Sequence, residues 1–236
     1  MDIRATEERT ITCEDCGATE VTQMPKIFGN VPFTRCTPCL EAANERDRKA
    51  KHQKFIQEMV ERSGIPAKYQ TWDADKAKEI GSNTLLRWVI QRQGASMWIG
   101  GPNGIGKTHA THHIAYQRIV EHGEPVRALR CSGYLRNIST LRMTDQAREA
   151  ERLVQDAVRV SLLVLDDLGK EKLTDAKAEV LWELIDLRSR SEKRVWITTN
   201  SSGPKLRERL GDNYGPAVLS RLKQMIPTSN ILKGQE

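Results

Sequence analysis

The ten residues GGPNGIGKTH, numbers 100–109, carry the strongest structural signal in this chain. From Gly101 to Thr108 they match G-x-x-x-x-G-K-[ST], a glycine-rich loop whose backbone N–H groups surround the phosphates of a nucleotide. An apolar stretch, Met97-Trp98-Ile99, precedes the loop, and a helical pattern from Thr108 to Glu121 follows it. Phosphate binds in this context because the helix N-terminus directs its partial positive charge at the loop.

The residues of this loop have distinct expected roles at the nucleotide. Lys107 should reach the β- and γ-phosphates, and Thr108 should place its hydroxyl on Mg²⁺. The residues predicted to bind ATP are Gly101, Pro102, Asn103, Gly104, Ile105, Gly106, Lys107, Thr108 and His109.

A second stretch, SLLVLDDLGKEK at 161–172, is an apolar strand that ends in two acids. Asp166 is expected to bind the Mg²⁺ with Thr108, and Asp167 is expected to orient the attacking water. VWITTN, at 195–200, is another apolar strand that ends in Asn200. If that strand lies beside the acidic one, Asn200 could hold the water or the γ-phosphate.

Short strands alternate with helical patterns from Pro66 onward, which predicts an α/β fold with a parallel sheet covered by helices. Cys131 to Val160 reads as two helices. The predicted strands are Ser96–Ile99, Val126–Arg130, Ser161–Asp166, Val195–Thr199 and Asn230–Leu232.

Composition narrows the class of protein. The 236 residues are 38% hydrophobic and 29% charged, with a net charge of +6. No apolar run approaches the roughly 20 residues that span a bilayer, and the N-terminus lacks an apolar signal core. A cytoplasmic protein without a membrane partner is therefore expected, and its five cysteines are expected to be metal ligands or thiols.

Four of the cysteines form two C-x-x-C pairs, and their spacing fits a structural zinc site. A redox function for the two pairs is the alternative interpretation. We predict a Cys₄ zinc module at residues 1–40, a charged helical linker at 41–63 and an ATPase domain at 64–236. The predicted zinc ligands are Cys13, Cys16, Cys36 and Cys39.

Together these segments resemble the DnaC-like replicative helicase loaders and the related IstB-type transposition ATPases of the AAA+ superfamily. The motifs that carry the resemblance are SGIPAKYQ at 63–70, GGPNGIGKT, LLVLDDLGKEK, ITTN, and AVLSRLKQM at 217–225. The resemblance implies an AAA+ P-loop ATPase. Few residues follow Arg221, so the helical lid is expected to be reduced or absent. An Asp-Asp pair in place of Asp-Glu suggests slow, switch-like hydrolysis.

The resemblance also assigns residue roles. Asn200 would be the sensor residue, and Arg221 the arginine finger that completes a neighbouring subunit's ATP site in a homo-oligomer. Arg207 and Arg209 are alternatives for the finger. The two helices of 131–160 would contact single-stranded DNA, although interleaved acids also fit a solvated face. The arginines expected at the DNA are Arg136, Arg142, Arg148 and Arg152.

These features predict a loader that uses ATP, Mg²⁺ and zinc to deliver the hexameric replicative helicase to single-stranded DNA. Its zinc module would bind the helicase, although a module that binds DNA is also open. One alternative is a transposition helper ATPase that acts with a transposase on duplex DNA. Another is a zinc-containing DNA-binding regulator that uses ATP only to assemble.

Overall fold

The computed structural model describes residues 6–25, 34–73, 75, 82–170 and 172–233. The chain forms two compact units, residues 1–55 and 56–236. In the first unit, β1 (Thr6–Thr12) and β2 (Thr19–Pro25) pair as an antiparallel hairpin. The helix α1 (Thr37–Ser63) begins in this unit, four residues ahead of the linker helix expected at residue 41. Residues 1–5 and 26–33 of the predicted zinc module lie outside the described residues.

The second unit contains one sheet whose paired strands are all parallel, in the order β4-β5-β6-β3-β7. The predicted sheet covered by helices is confirmed, and each predicted strand is found within two residues of its expected bounds. The strands are β3 (Met97–Gly100), β4 (Val126–Arg130), β5 (Leu162–Leu168), β6 (Arg194–Thr199) and β7 (Ile231–Leu232). The helices are α2 (Ser82–Arg92), α3 (Lys107–His122), α4 (Cys131–Arg142), α5 (Ala147–Arg159), α6 (Asp175–Arg190), α7 (Gly203–Leu210) and α8 (Gly215–Met225).

Both faces of the sheet are buried, as its continuous apolar strands require. Successive side chains of a strand point to opposite faces. Leu163 and Leu165 of β5 therefore pack with the helices α4 to α8. Leu162 and Val164 pack on the other face, with α2, α3 and the last turns of α1.

One buried arginine connects the helix α5 to the start of the sheet. Arg188 of α6 is fully buried, and its Nη1 donates to the carbonyl oxygens of Ala157 and Val160 at 2.8 and 3.1 Å. Its Nη2 donates to the carbonyl of Arg194, where β6 begins. Burial lowers the pKa of Arg188 to about 10, but the guanidinium remains charged at neutral pH. Arg188 thus satisfies carbonyls that end α5 and fixes the entry to β6.

No helix within the described part of the chain has both the length and the apolar character needed to cross a bilayer. The parallel order of the strands brings the carboxyl ends of β3, β5 and β6 together at one edge of the sheet. β6 lies between β3 and β5. The role considered for Asn200 required β6 to lie beside the strand that carries Asp166 and Asp167. The structure places β6 there, since it pairs with β5.

Candidate nucleotide site and metal centre

The glycine-rich loop joins β3 to α3 in a conformation that favours glycine. Gly104 and Gly106 have φ angles of +86° and +85°. An L side chain would be strained at such angles, whatever space surrounds it. The loop is also attached to the neighbouring strand, since Gly101 N donates to the Thr199 carbonyl at 3.2 Å. The backbone of the loop is therefore preorganised for a nucleotide.

Lys107 begins α3, and its ammonium lies inside this loop. Its Nζ donates to the carbonyl oxygens of Gly101 and Pro102 at 2.9 and 2.6 Å. Burial lowers the pKa of Lys107, while the charges of Asp167 and Asp166 oppose that shift. The loop carbonyls thus hold the ammonium where phosphate oxygens of a nucleotide would be bound.

Thr108 and Asp166 meet as the sequence predicts. The Thr108 hydroxyl donates to Asp166 Oδ1 at 2.7 Å, and Asp166 is only 7% exposed. Two oxygens bound at right angles to one Mg²⁺ lie about 3.0 Å apart, for metal–oxygen distances near 2.1 Å. The pair therefore fits a magnesium ion that would polarise the phosphates of the nucleotide.

Thr198 is a site residue that the sequence reasoning missed. Its hydroxyl donates to Asp166 Oδ1 at 2.6 Å and accepts from the backbone N–H of Asp167 at 3.0 Å. Thr198 is fully buried in β6. It precedes Asn200 by two positions, so the strand period places both on one face. That period could have identified it.

Asp167 lies where the pairing of β5 with β6 is irregular, between Leu165 and Leu168. Its φ is +59°, a left-handed conformation that costs a non-glycine residue about 1 kcal/mol or more. Its carboxylate is partly buried, with Oδ1 3.5 Å from Asn200 Nδ2 and Oδ2 3.8 Å from Arg130 Nη2. Asn200 thus lies beside the predicted water-orienting acid, and Arg130 is a neighbour that sequence reasoning missed. Its register opposite Asp166 in the sheet could have indicated it only once the strand order was known.

Arg221 lies away from these groups, on α8. Its Nε donates to Asp186 Oδ1 at 2.9 Å, and its Nη1 donates to Gln224 at 3.1 Å. Arg209 binds within its own chain, donating to Ser201 Oγ at 2.9 Å and to the Gly169 carbonyl. Arg207 is exposed on α7. Among the three arginines considered, Arg209 is held by the loops that follow β5 and β6.

Three histidines of α3 pack against aromatic rings. His109 lies 4.8 Å from the ring centre of Trp72, and its Nε2 is 2.9 Å from the Thr71 carbonyl. Burial lowers the pKa of both His112 and His113. Among the described His, Cys, Asp and Glu side chains, the group of three or more whose ligand atoms converge is the four cysteines.

A cavity of about 820 Å³ adjoins the phosphate loop. Its apolar wall includes Trp98, Leu219 and Leu222, and it also contacts Asn200. One face of α8 therefore borders the candidate nucleotide site of its own chain.

The arginines of the predicted DNA segment differ in their contacts. Arg142 forms an ion pair with Glu183 of α6, so its charge is neutralised within the chain. Arg152 pairs with Glu149 at 3.3 Å on the surface of α5. Arg136 and Arg148 are exposed. The two predicted helices are present as α4 and α5.

The four cysteines of the N-terminal unit form one cluster, with all sulfur atoms within 4.8 Å of one another. Cys16 and Cys36 Sγ are 3.6 Å apart. Sulfurs around a tetrahedral zinc, at 2.3 Å from the metal, lie about 3.8 Å apart, so the cluster fits zinc. A tight turn, in which Gly17 N donates to the Cys13 carbonyl at 2.8 Å, brings the first pair together.

The pKa values of Cys13 and Cys39 in this cluster shift in opposite directions. The backbone N–H of Cys36 lowers the pKa of Cys13 to about 6. Hydrogen bonding with the Cys36 side chain raises the pKa of Cys39 to about 12. Four thiolates this close repel one another unless a cation lies between them, and such a cation would be held structurally by four ligands.

Comparison with known proteins gives one family and several relatives. A family model described as IstB-like ATP binding protein matches residues 40–231. The replicative helicase loader DnaC of Escherichia coli K12 is 25% identical over 192 residues, which cover 77% of this chain and 74% of DnaC. The protein assigned as the ATP-binding protein of insertion sequence IS21 in Pseudomonas aeruginosa is 29% identical over 136 residues, covering 57% of this chain and 49% of that relative. The crystal structure of the DnaC helicase loader superimposes with a TM-score of 0.51 at 23% identity, over 64% of this chain and 87% of that one.

Proposed function

Because the chain belongs to the IstB-like ATP-binding protein family, whose AAA+ P-loop fold it shares, we propose that it is an ATP-dependent loader of the replicative helicase. In this proposal the ATP state switches the protein between holding the helicase and releasing it onto single-stranded DNA. The observation that carries it is the cysteine cluster, which lies before the matched residues 40–231. The chain thus has a second module beside its ATPase, as a protein that tethers a partner requires.

The ATP chemistry follows from the residues at the edge of the sheet. Lys107 would exchange the carbonyls of Gly101 and Pro102 for phosphate oxygens. Thr108 and Asp166 would hold the Mg²⁺, which supplies Lewis-acid polarisation of the phosphates. Asp167 would accept a proton from the attacking water, and Asn200 would orient that water or the γ-phosphate.

Slow hydrolysis is part of the proposal. A carboxylate that activates water must lie within hydrogen-bond reach of it. Asp167 is one methylene shorter than a glutamate, and two groups, Asn200 and Arg130, already lie beside its oxygens. Turnover should therefore be slow enough for the ATP-bound state to persist as a signal.

The N-terminal unit is proposed as the helicase-binding module and the ATPase unit as the oligomerising one. The proposed domains are a zinc module at 1–40, a linker at 41–63 and an ATPase domain at 64–236. Single-stranded DNA would contact α4 and α5. Arg136 and Arg148 are exposed there, whereas Arg142 is paired with Glu183. The proposed DNA contact therefore rests on fewer arginines than the sequence suggests.

A second candidate function is a transposition helper ATPase that acts with a transposase on duplex DNA. The family description and the 29% identical insertion-sequence relative favour it. It would use the same ATP-site residues, so the partner, and not the ATP site, distinguishes the two functions.

The test is the native mass of the full chain mixed with the hexameric replicative helicase of its host, with and without ATP. A discrete complex whose stoichiometry changes with ATP is expected. If helicase and protein remain separate at micromolar concentrations in both conditions, the loader proposal fails, and a transposase with duplex DNA is the next partner.

Two variants assign the roles within that complex. Lys107→Ala should lose ATP turnover, and turnover that survives in this variant would contradict the site. Cys36→Ser should lose the helicase but keep ATP binding. Cys131→Ser is its matched control, because Cys131 is a buried thiol in α4, outside the cluster.

A further inference from the structure

A buried carboxylate on α6 holds two arginines. Asp186 is 7% exposed, and its Oδ1 accepts from Arg221 Nε at 2.9 Å. Its Oδ2 accepts from Arg190 Nε at 2.7 Å. A buried carboxylate is costly unless it is paired, so these contacts strongly fix the position of both nitrogens.

Asp186 accepts a hydrogen bond from Nε of Arg221, the guanidinium nitrogen nearest the backbone. Arginine frequently binds a carboxylate through two parallel hydrogen bonds. Here the carboxylate binds Nε, so both Nη nitrogens extend beyond it, and Nη1 is steadied by Gln224 at 3.1 Å. The Arg221 side chain keeps 39% exposure. The guanidinium is thus fixed at its base while its donor end remains accessible.

The helical period shows which face of α8 carries the Nη donors of Arg221. Leu219 and Leu222 line the cavity beside the phosphate loop of their own chain. Successive helix residues are about 100° apart, so Arg221 lies on a different face of α8 from Leu222. Its Nε contacts Asp186 of α6, and its Nη1 contacts Gln224 of its own helix. The Nη donors of Arg221 are therefore accessible from outside the subunit.

We infer that Asp186 is a positioning residue that orients Arg221 toward the ATP of a neighbouring subunit. The inference rests on the proposed function, in which Arg221 is the arginine finger. An arginine finger works only when its donors are held at the transferring phosphate, and a displacement of about 1 Å can cost about 100-fold in rate. Asp186 would reduce the freedom of the side chain before the subunits meet.

The test is complementation between variants of the full chain. Asp186→Asn keeps the size of the side chain but removes its charge, and its kcat should fall about 10- to 100-fold. Its affinity for a fluorescent ATP analogue should remain within about twofold, because the ATP site of the same subunit is intact. Adding excess Lys107→Ala protein, which is inactive but has an intact Arg221, should restore turnover. A defect confined to folding would not be rescued in this way.

Two controls separate this inference from the proposed function. Arg221→Ala mixed with Lys107→Ala should also regain turnover. If this pair regains turnover and the Asp186→Asn pair does not, the finger stands and the positioning role is overturned. If neither pair regains turnover, the finger itself is wrong, and the inference falls with it.

Arg190→Ala is the matched structural control, since it removes the other arginine from the same carboxylate. It should keep kcat near that of the unmodified protein, and a loss equal to that of Asp186→Asn would overturn the inference. Should Asp186→Asn fail to fold, Asp186→Glu keeps both ion pairs but moves Arg221 by one methylene. It should lose kcat without losing ATP affinity, and unchanged kcat would contradict the positioning role.

Discussion

Replacing Thr198 with valine should damage both the stability of the protein and its magnesium site. Valine keeps the branched shape of the side chain but lacks the hydroxyl that joins Asp166 to Asp167. The hydrogen bond to the Asp166 carboxylate is worth about 1.5–3 kcal/mol, and the amide of Asp167, left without an acceptor, costs about 1–3 kcal/mol. The added buried methyl returns about 0.8 kcal/mol, so Thr198→Val should lose roughly 2–5 kcal/mol of unfolding free energy.

The neighbouring residue provides a matched control. Thr199 is also fully buried, and its hydroxyl donates to the Leu168 carbonyl at 2.7 Å and accepts from Ser201 N at 3.0 Å. Both partners are uncharged backbone groups, so Thr199→Val should cost about 1–3 kcal/mol. It removes the same number of hydrogen bonds without touching either acid.

The two variants should therefore differ at the nucleotide. Thr198 holds the oxygen of Asp166 that Thr108 also binds, and losing such a supporting group typically weakens a metal site about 10- to 100-fold. Thr198→Val should need correspondingly more Mg²⁺ to bind a fluorescent ATP analogue, whereas Thr199→Val should not. Urea unfolding followed by circular dichroism gives the stabilities. Equal losses of stability together with unchanged magnesium dependence in both variants would refute the role given to Thr198.

Three further predictions concern the parts that support the site. Arg188→Met should lose roughly 3–5 kcal/mol in urea unfolding, because buried carbonyls of α5 and β6 lose their donor; a loss under 1 kcal/mol would contradict this. Burial lowers the pKa of His112, so the unfolded state binds the proton first as pH falls below about 6.5. The unfolding free energy should then decrease toward acid pH, and less steeply in His112→Gln; an identical slope would exclude His112 as a source. Metal analysis of the purified protein should find about one zinc per chain, retained in Cys131→Ser and lost in Cys36→Ser; equal zinc in the two variants would disprove the cluster.

Some features of both units could not be read from local sequence. The helix α7 was not predicted, because its eight residues are too few to show a clear helical period. The hairpin of β1 and β2 was also missed. Its segments TEERTIT and TEVTQMP are mostly polar, so the alternation that marks a half-buried strand is weak. Pairing between the two strands is a long-range property that neither segment carries alone.

Contacts between residues far apart in the sequence were missed for the same reason, the absence of a local signal. The binding of Arg221 by Asp186 joins residues 35 positions apart, and the hydrogen bond between Thr198 and Asp166 joins residues 32 positions apart. Neither pair forms a motif with fixed spacing, so no pattern along the chain announces it. Each depends on which helix or strand lies beside another.

The class of this protein follows from the amino-acid sequence, because its motifs are local. A glycine-rich loop, an acidic strand end and two cysteine pairs each carry their chemistry within a few residues, and strand and helix periods fixed the α/β class. The strand order does not follow from any local motif, since it depends on how the crossover helices pack on the two faces of the sheet. That order places Asn200 beside Asp167 and Thr198 beneath Asp166, and the packing of α6 on α8 joins Asp186 to Arg221. Local motifs thus identify the side chains of the nucleotide site, and the order of the parallel strands places those side chains next to one another.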